Sequence, residues 1–379
     1  MSSYDAVVIG LGGMGSAALA HLASRGKRVV GLEQFGPAHA LGSSHGGSRV
    51  IRQAYFEHPA YVRLLLRVYE LWHDLERRSG DRLMIRTGGL MAGSPDCEVV
   101  TGSLRSAREH GLPHQLLDAA DIRRRFPVIH PLQHEVALYE EPAGVLFPEA
   151  CVLAHLRWAI DEGAEARFGM PVRTWFETGR GVEVETADGE RIEAEHLVIT
   201  AGAWFGKVAA DLRLPLKIER NVMHWFEPLA HKEDFQPERF PVYILHREGV
   251  PMLYGMPDLP DQGVKGAFHH SLEYTDPDFI DREVSADEVA TFAHALRGWI
   301  PDGVGTHRRS TVCMYTMTPD EHFVIGRHPA HQHVVVAGGF SGHGFKFCAI
   351  VGEILADLIT EGKSRHPIDL FAPDRFART

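Results

Sequence analysis

Gly10-Leu11-Gly12-Gly13-Met14-Gly15 is the stretch whose reading decides the fold. Immediately before it, Tyr4-Asp5-Ala6-Val7-Val8-Ile9 reads as a short buried strand rich in β-branched residues. Immediately after it, Ser16-Ala17-Ala18-Leu19-Ala20 starts a small-residue helix that stops at Gly26. Arg28-Val29-Val30-Gly31-Leu32 is a second strand, ending at Glu33. Each part has a physical reason. Gly10 permits a tight turn, Gly12 lets the backbone approach a pyrophosphate, and Gly15 lets helix and strand pack closely. The helix N-terminus attracts the phosphate charge. Glu33 can accept hydrogen bonds from an adenosine ribose and would repel a 2′-phosphate, which disfavours NADP. With strand, helix, strand and acid in register, the motif predicts a dinucleotide site. It does not choose between FAD and NAD.

Outward from this unit, Tyr61, Leu64, Leu65, Val68, Leu71 and Trp72 fall on one face of an amphipathic helix over 59–78, ended by Gly80. A short helix is predicted around Asp118 to Arg125 and another from Pro148 to Glu162. Strands follow over 166–186, with a hairpin turn at Asp188-Gly189. Leu197-Val198-Ile199 is a buried strand entering a glycine turn and then a helix. Because it lies far from the first strand in sequence, the nucleotide-binding sheet is expected to assemble from distant pieces. Residues 216–315 are strand-rich, with one helix near 286–296, and suggest a mostly antiparallel sheet. Val334-Val335-Val336-Ala337-Gly338-Gly339 is a last buried strand, followed by a glycine turn and a helix over 345–360. The fold class expected is therefore α/β and α+β, a Rossmann-like domain interleaved with a mostly antiparallel-sheet substrate domain.

Composition narrows the function. A chain of 379 residues with 44% hydrophobic and 23% charged residues is globular and long enough for two joined domains. A net charge of −11 argues against a general nucleic-acid binder. No apolar run reaches membrane-spanning length. The N-terminal residues carry no signal-peptide pattern and the C-terminal residues no peroxisomal address, so a cytoplasmic protein is expected. Cys97, Cys151, Cys313 and Cys348 form neither a metal-ligand spacing nor a disulfide framework. None of the 24 histidines shows a local ligand motif, and no metal is expected.

Four further segments carry a family resemblance. Gly42-Ser43-Ser44-His45-Gly46-Gly47-Ser48-Arg49-Val50-Ile51-Arg52 resembles the G-S-x-H-G-x-T/S-R-x-I-R run of monomeric sarcosine oxidases and N-methyltryptophan oxidases. Cys313-Met314-Tyr315-Thr316, Pro319-Asp320-Glu321-His322-Phe323 and Gly339-Phe340-Ser341-Gly342-His343-Gly344-Phe345-Lys346-Phe347 resemble the same family. The similarity spans nearly the whole chain. It implies FAD, a D-amino-acid-oxidase-like fold, and oxidation of a carboxylated secondary amine by O2 to an imine that hydrolyses. Sarcosine is the first expectation. N-methyltryptophan, a bulky or cyclic secondary amino acid, or a dehydrogenase with a partner acceptor are the alternatives. The FAD-binding domain is expected over 1–80, 147–211 and 317–379, the substrate domain over 81–146 and 212–316, and the protein as a monomer.

The resemblance also assigns roles. Cys313 matches the cysteine bonded to the flavin 8α-methyl carbon; Cys348 reads as packing. Arg52 and Lys346 match a clamp for the substrate carboxylate, which an enclosed site must meet with fixed cations. Lys265, an ordinary surface-facing strand lysine on its own context, is implied to be the oxygen-activating cation near flavin N5. His269 and Tyr254 match pocket residues that orient the amine and bias its protonation, with Tyr315 a further candidate. By strand alternation His270 faces away. His45 and Arg49 match groups beside the flavin ring, where a cation would stabilise the reduced form. Ser43, Ser48, Gly342 and Gly344 are implied cofactor contacts, while Ser44 and Gly47 depart from the family's usual histidine and aspartate. Leu245, Tyr254 and the loop 256–263 are expected to set pocket size.

Overall fold

A computed structural model describes residues 4–260 and 262–378. Met1–Ser3 and Thr379, which enter the readings of the chain ends, and Asp261 of the 256–263 loop lie outside the described residues.

The first strand, Tyr4–Ile9, sits in the middle of an eight-stranded sheet. On one side it pairs in parallel with Val29–Glu33, and on the other with Arg191–Ile199. Val334–Gly338 then adds in parallel to Arg191–Ile199, and Glu165–Phe168 to Val29–Glu33. Strand order thus reverses beside the first strand. That reversal opens a crevice at the strands' carboxyl ends, where open α/β sheets bind ligands. The chain leaves this point through Gly10 at φ +86° into the helix Gly13–Ala23. A Cβ on Gly15 would lie 1.7 Å from the Gly10 carbonyl oxygen, so the close helix–strand approach tolerates only glycine there.

The helix Gly13–Ala23 is buried along almost its whole length between Pro148–Asp161 and Cys348–Thr360. The helix Tyr61–Ser79 buries the apolar face read from its periodicity and ends on Gly80 in the left-handed region. The final helix is preceded by a 3-10 turn, Phe345–Phe347, so the regular helix starts at Cys348. A helix at Glu98–Glu109 was not expected. Its Val-Val-Thr-Gly content weakens intrinsic propensity, and packing supplies the difference: Gly102 closes on the Phe56 backbone and Ser106 Oγ donates to Tyr55 O at 2.5 Å.

A nine-stranded sheet gathers strands between 89 and 140 with those between 217 and 317. It is antiparallel apart from the pairing of Val242–Arg247 with Gly89–Gly93. A small three-stranded sheet joins Arg49–Ile51, Met84–Arg86 and Gly144–Leu146. The three-residue strand Arg49–Ile51 went unread because glycines precede it, yet it fixes the direction of two arginines at the site.

Candidate active site

Between the two large sheets lies a cavity of about 1040 Å³. Gly10, Gly12 and Glu33 line it from the parallel sheet, and Tyr254, His269 and Tyr315 from the antiparallel one. Ser43, Arg49, Arg52, Gly342, Gly344 and Lys346 complete the wall.

Glu33 closes the second strand as expected. Its carboxylate accepts from the backbone N–H of Leu11 at 2.8 Å and of Phe35 at 3.0 Å, with His39 3.4 Å away. Burial alone would raise its pKa, but His39 and the two N–H groups outweigh it and keep the group below the usual carboxylate range. Ser44 Oγ accepts from Gly13 N–H at 3.1 Å, at the start of the first helix. The sequence reading noted Ser44 only as a departure; its place at the mouth of the glycine loop is a structural finding.

Arg49 projects from its short strand into the run 43–48. Nη2 donates to Ser43 O at 2.8 Å and stands 3.7 Å from Cys313 Sγ, while Nη1 donates to Ser48 O at 2.8 Å. His45, Ser48, Lys265 and Cys313 are not among the cavity-lining residues and stand behind this arginine. Lys265 is 2% exposed, which overturns the surface reading of its local sequence. Its ammonium donates to Gly46 O and Ser48 O, each at 2.8 Å, and to Ser48 Oγ at 3.1 Å. Burial and then Arg49 push Lys265 well below the usual lysine range. His45 is also buried, and its Nε2 has no partner among the described residues. Burial, Arg49 and Lys265 lower its pKa to about 3. The two side chains differ: His45 is held low, whereas against the effect of burial Cys313, Tyr254, Tyr315 and Glu149 raise Arg49, which leaves Arg49 as the cation of the pair.

Across the cavity, Arg52 is not a free fork. Nη2 lies 2.6 Å from both carboxylate oxygens of Glu57, and Nη1 donates to Ala54 O at 3.0 Å. Burial works against ionised Glu57, but Arg52, His343 and Lys346 together hold it at about 2. Glu57 was missed in the sequence because the Tyr55-Phe56-Glu57-His58 loop carries no motif. Lys346 donates to His343 O at 2.7 Å and to the Tyr55 hydroxyl at 3.3 Å. Burial and then Arg52 lower Lys346 to about 7.

Tyr254 Oη and Tyr315 Oη are 3.2 Å apart, and the Tyr254 and His269 rings meet edge to face at 6.4 Å. Burial and then His270 keep His269 well below the usual histidine range, so its ring is neutral. His270 turns away as alternation predicted and faces Glu219 at 3.5 Å. Cys348 is buried at the start of the last helix but also touches the cavity wall. Asp211, His328 and His331 cluster at ligand-like spacing. His328 Nδ1 accepts from Ala330 N–H at 3.2 Å, His328 Nε2 lies 3.1 Å from Asp211 without hydrogen-bond geometry, and His331 Nε2 meets the same carboxylate at 3.0 Å.

The chain matches the model of the FAD dependent oxidoreductase family over residues 5–358. A monomeric sarcosine oxidase of Streptomyces avermitilis is 52% identical, the match covering 99% of this chain and 98% of that relative. The chain belongs to the monomeric sarcosine oxidase and N-methyltryptophan oxidase family of FAD-dependent oxidoreductases. An N-methyl-L-tryptophan oxidase of Citrobacter koseri is 33% identical over 95% of each chain. In fold, the chain resembles NikD, described as an unusual amino acid oxidase essential for nikkomycin biosynthesis, with a TM-score of 0.87, 24% identity and 98% of each chain covered. The family's cofactor fits the residues present. The glycine turn, the ionised Glu33 and the helix N-terminus meet at the sheet's switch point and line one cavity.

Proposed function

We propose that this enzyme oxidises the N-methyl C–N bond of sarcosine: sarcosine + O2 + H2O gives glycine, formaldehyde and H2O2. The observation that carries the reading is that Arg52 and Lys346 line the same cavity as Tyr254 and His269. The cations suit one carboxylate, and the neutral aromatic groups suit an amine a few ångströms away. The names of the Streptomyces and Citrobacter relatives support sarcosine over N-methyltryptophan, because the first is the more similar.

In this reading residues 1–80, 147–211 and 317–379 hold FAD, and 81–146 and 212–316 bring the substrate face. FAD, when bound, supplies the two-electron acceptor that O2 regenerates. Gly10, Gly12 and the first helix take the pyrophosphate, and Glu33 takes the ribose. Cys313 is the proposed covalent attachment point, with Arg49 beside its sulfur. Ser43, Gly342 and Gly344 would hold the ring, with Ser48 supporting it from behind Arg49. The neutral imidazole of His269 and the Tyr254 hydroxyl orient the amine, favour its unprotonated form and keep water from the methyl group. Tyr315 steadies Tyr254 through their hydroxyl contact. Lys265 supplies positive charge where O2 gains its first electron. We read the protein as a cytoplasmic monomer, and the name of the Streptomyces relative supports the monomer.

A peroxide assay over sarcosine, N-methyl aromatic amino acids, proline and pipecolate tests the function. Sarcosine is expected to give the highest kcat/KM, with formaldehyde and peroxide in equal amounts. Higher kcat/KM for an amine without a carboxylate would overturn the reading, and so would flavin reduction by sarcosine without reoxidation in air.

A further inference from the structure

Arg52 and Lys346 approach the cavity from different segments, yet both rest on one residue. The Arg52 guanidinium carbon lies 4.0 Å from the centroid of the Tyr55 ring. The Tyr55 hydroxyl accepts from Lys346 at 3.3 Å. Tyr55 itself does not line the cavity and is fully buried.

Its hydrogen-bond direction is fixed from behind. His343 Nε2 lies 3.0 Å from Glu321 O, and a carbonyl oxygen can only accept, so the ring hydrogen is on Nε2. His343 Nδ1 is then an acceptor, and it takes the Tyr55 hydroxyl hydrogen at 2.6 Å. The His343 carbonyl, 3.3 Å away, is a weaker competitor for that hydrogen. With its hydrogen committed to His343, the Tyr55 oxygen presents lone pairs to Lys346. The whole unit is bolted down. Glu140 accepts from Gln53 and Ala54 N–H, each at 2.6 Å, and Ser106 holds the Tyr55 carbonyl. The groups facing Lys346 are Arg52, Glu57, Cys348, Arg49, the His343 carbonyl and the Tyr55 hydroxyl.

We propose that Tyr55, oriented by His343, is a positioning residue that holds Arg52 through its ring face and Lys346 through its hydroxyl, and so sets the geometry of carboxylate binding. The inference rests on the reading of Arg52 and Lys346 as the carboxylate clamp. One phenol serves both cations: the ring quadrupole attracts the guanidinium, and the oxygen accepts from the ammonium.

The test titrates holoenzyme with acetate by calorimetry across about pH 6 to 9, and measures kcat and KM for sarcosine. Tyr55→Phe keeps the ring but removes the acceptor. Acetate binding is expected to weaken ~10-fold, with KM rising more than kcat falls. The ammonium loses an acceptor that stabilises its charged form, so the pH above which acetate affinity declines moves down. Tyr55→Leu also removes the ring and is expected to weaken binding a further ~3-fold. His343→Asn, whose amide oxygen can take the hydroxyl hydrogen, is expected to keep the wild-type pH limb, whereas His343→Leu moves it down. The His343 pair serves as the test if Tyr55 variants fail to fold. Unchanged acetate affinity and pH limb in Tyr55→Phe, alongside weakened binding in Lys346→Met, would overturn the positioning role alone. An equal loss of kcat and kcat/KM with no movement of the pH limb would also overturn it. If Lys346→Met and Arg52→Ala both bind acetate as wild type does, the clamp reading fails first and takes this inference with it.

Discussion

Arg49 and Arg52 stand close together in sequence and face one cavity, but only Arg52 has a carboxylate of its own. Glu57 grips Arg52 at 2.6 Å through both oxygens. Arg49 and its neighbour Lys265 find backbone carbonyls, a hydroxyl and sulfur instead, and neither makes an ion pair among the described residues. Burial and Arg49 disfavour the charged form of Lys265, and the Glu149 carboxylate, held by Gly46 and Gly47 N–H, offsets only part of that, so further negative charge developing nearby would favour the ammonium. On the Arg52 side that negative charge is already present, and an incoming carboxylate must compete with Glu57. The first side is built to stabilise charge that develops during reaction. The second is built to exchange one carboxylate for another.

The comparison can be broken most sharply at Lys265. Lys265→Met is expected to slow reoxidation of the reduced flavin by ~10²- to 10³-fold, while anaerobic reduction by sarcosine changes far less. Stopped-flow measurement of both half-reactions checks this, and unchanged reoxidation removes the developing-charge role. Arg52→Ala is expected to raise KM for sarcosine ~10- to 100-fold, with a smaller loss for amines lacking a carboxylate; equal losses would end the exchange picture. Glu57→Gln removes the internal competitor, so acetate is expected to bind a few-fold more tightly. Weaker acetate binding would mean that Glu57 orients Arg52 rather than competes with the ligand.

The smallest effect is in acid stability, where the two sides lose stability over different pH windows. His45 sits at about 3 when folded, below the ordinary histidine value, so its contribution is fully present above about pH 6.5 and is lost as pH falls towards 3. Glu57 sits at about 2 when folded, so the stability it lends is present above about pH 4.3 and is lost below that. Melting temperature followed against pH is expected to fall first in the histidine window. His45→Gln should flatten the curve between about pH 6.5 and 4, and Glu57→Gln should alter it only below about pH 4.3.

What the sequence revealed follows the range of the interactions involved. The glycine loop, its flanking strands and Glu33 were legible because strand–turn–helix geometry is set by neighbouring residues. The face of the Tyr61–Ser79 helix was legible because burial imposes its period. The segments around Arg49, Lys265 and Cys313 were recognisable only as a family pattern, since nothing local says that a lysine flanked by valine and glycine is buried. Helix Glu98–Glu109 and the Arg52–Glu57 pairing were not legible. The helix depends on contact with Tyr55 and Phe56, and the pairing depends on a loop anchored by Glu140 from another sheet. The protonation of His45 was not legible for a similar reason: it is set by burial and then by Arg49 and Lys265, which only folding makes its neighbours.

The pairing of Val8 with Val198, and of Val198 with Val335, has a consequence for biosynthesis. The opening strand leaves the ribosome early but cannot complete its sheet until the last strand has emerged. Until then the outer edge of Leu197-Val198-Ile199, which Val334-Val335-Val336 covers, stays open on the nascent chain. Stable loading of the flavin therefore waits for residues 334–338, and products truncated before residue 334 should emerge colourless and prone to aggregate.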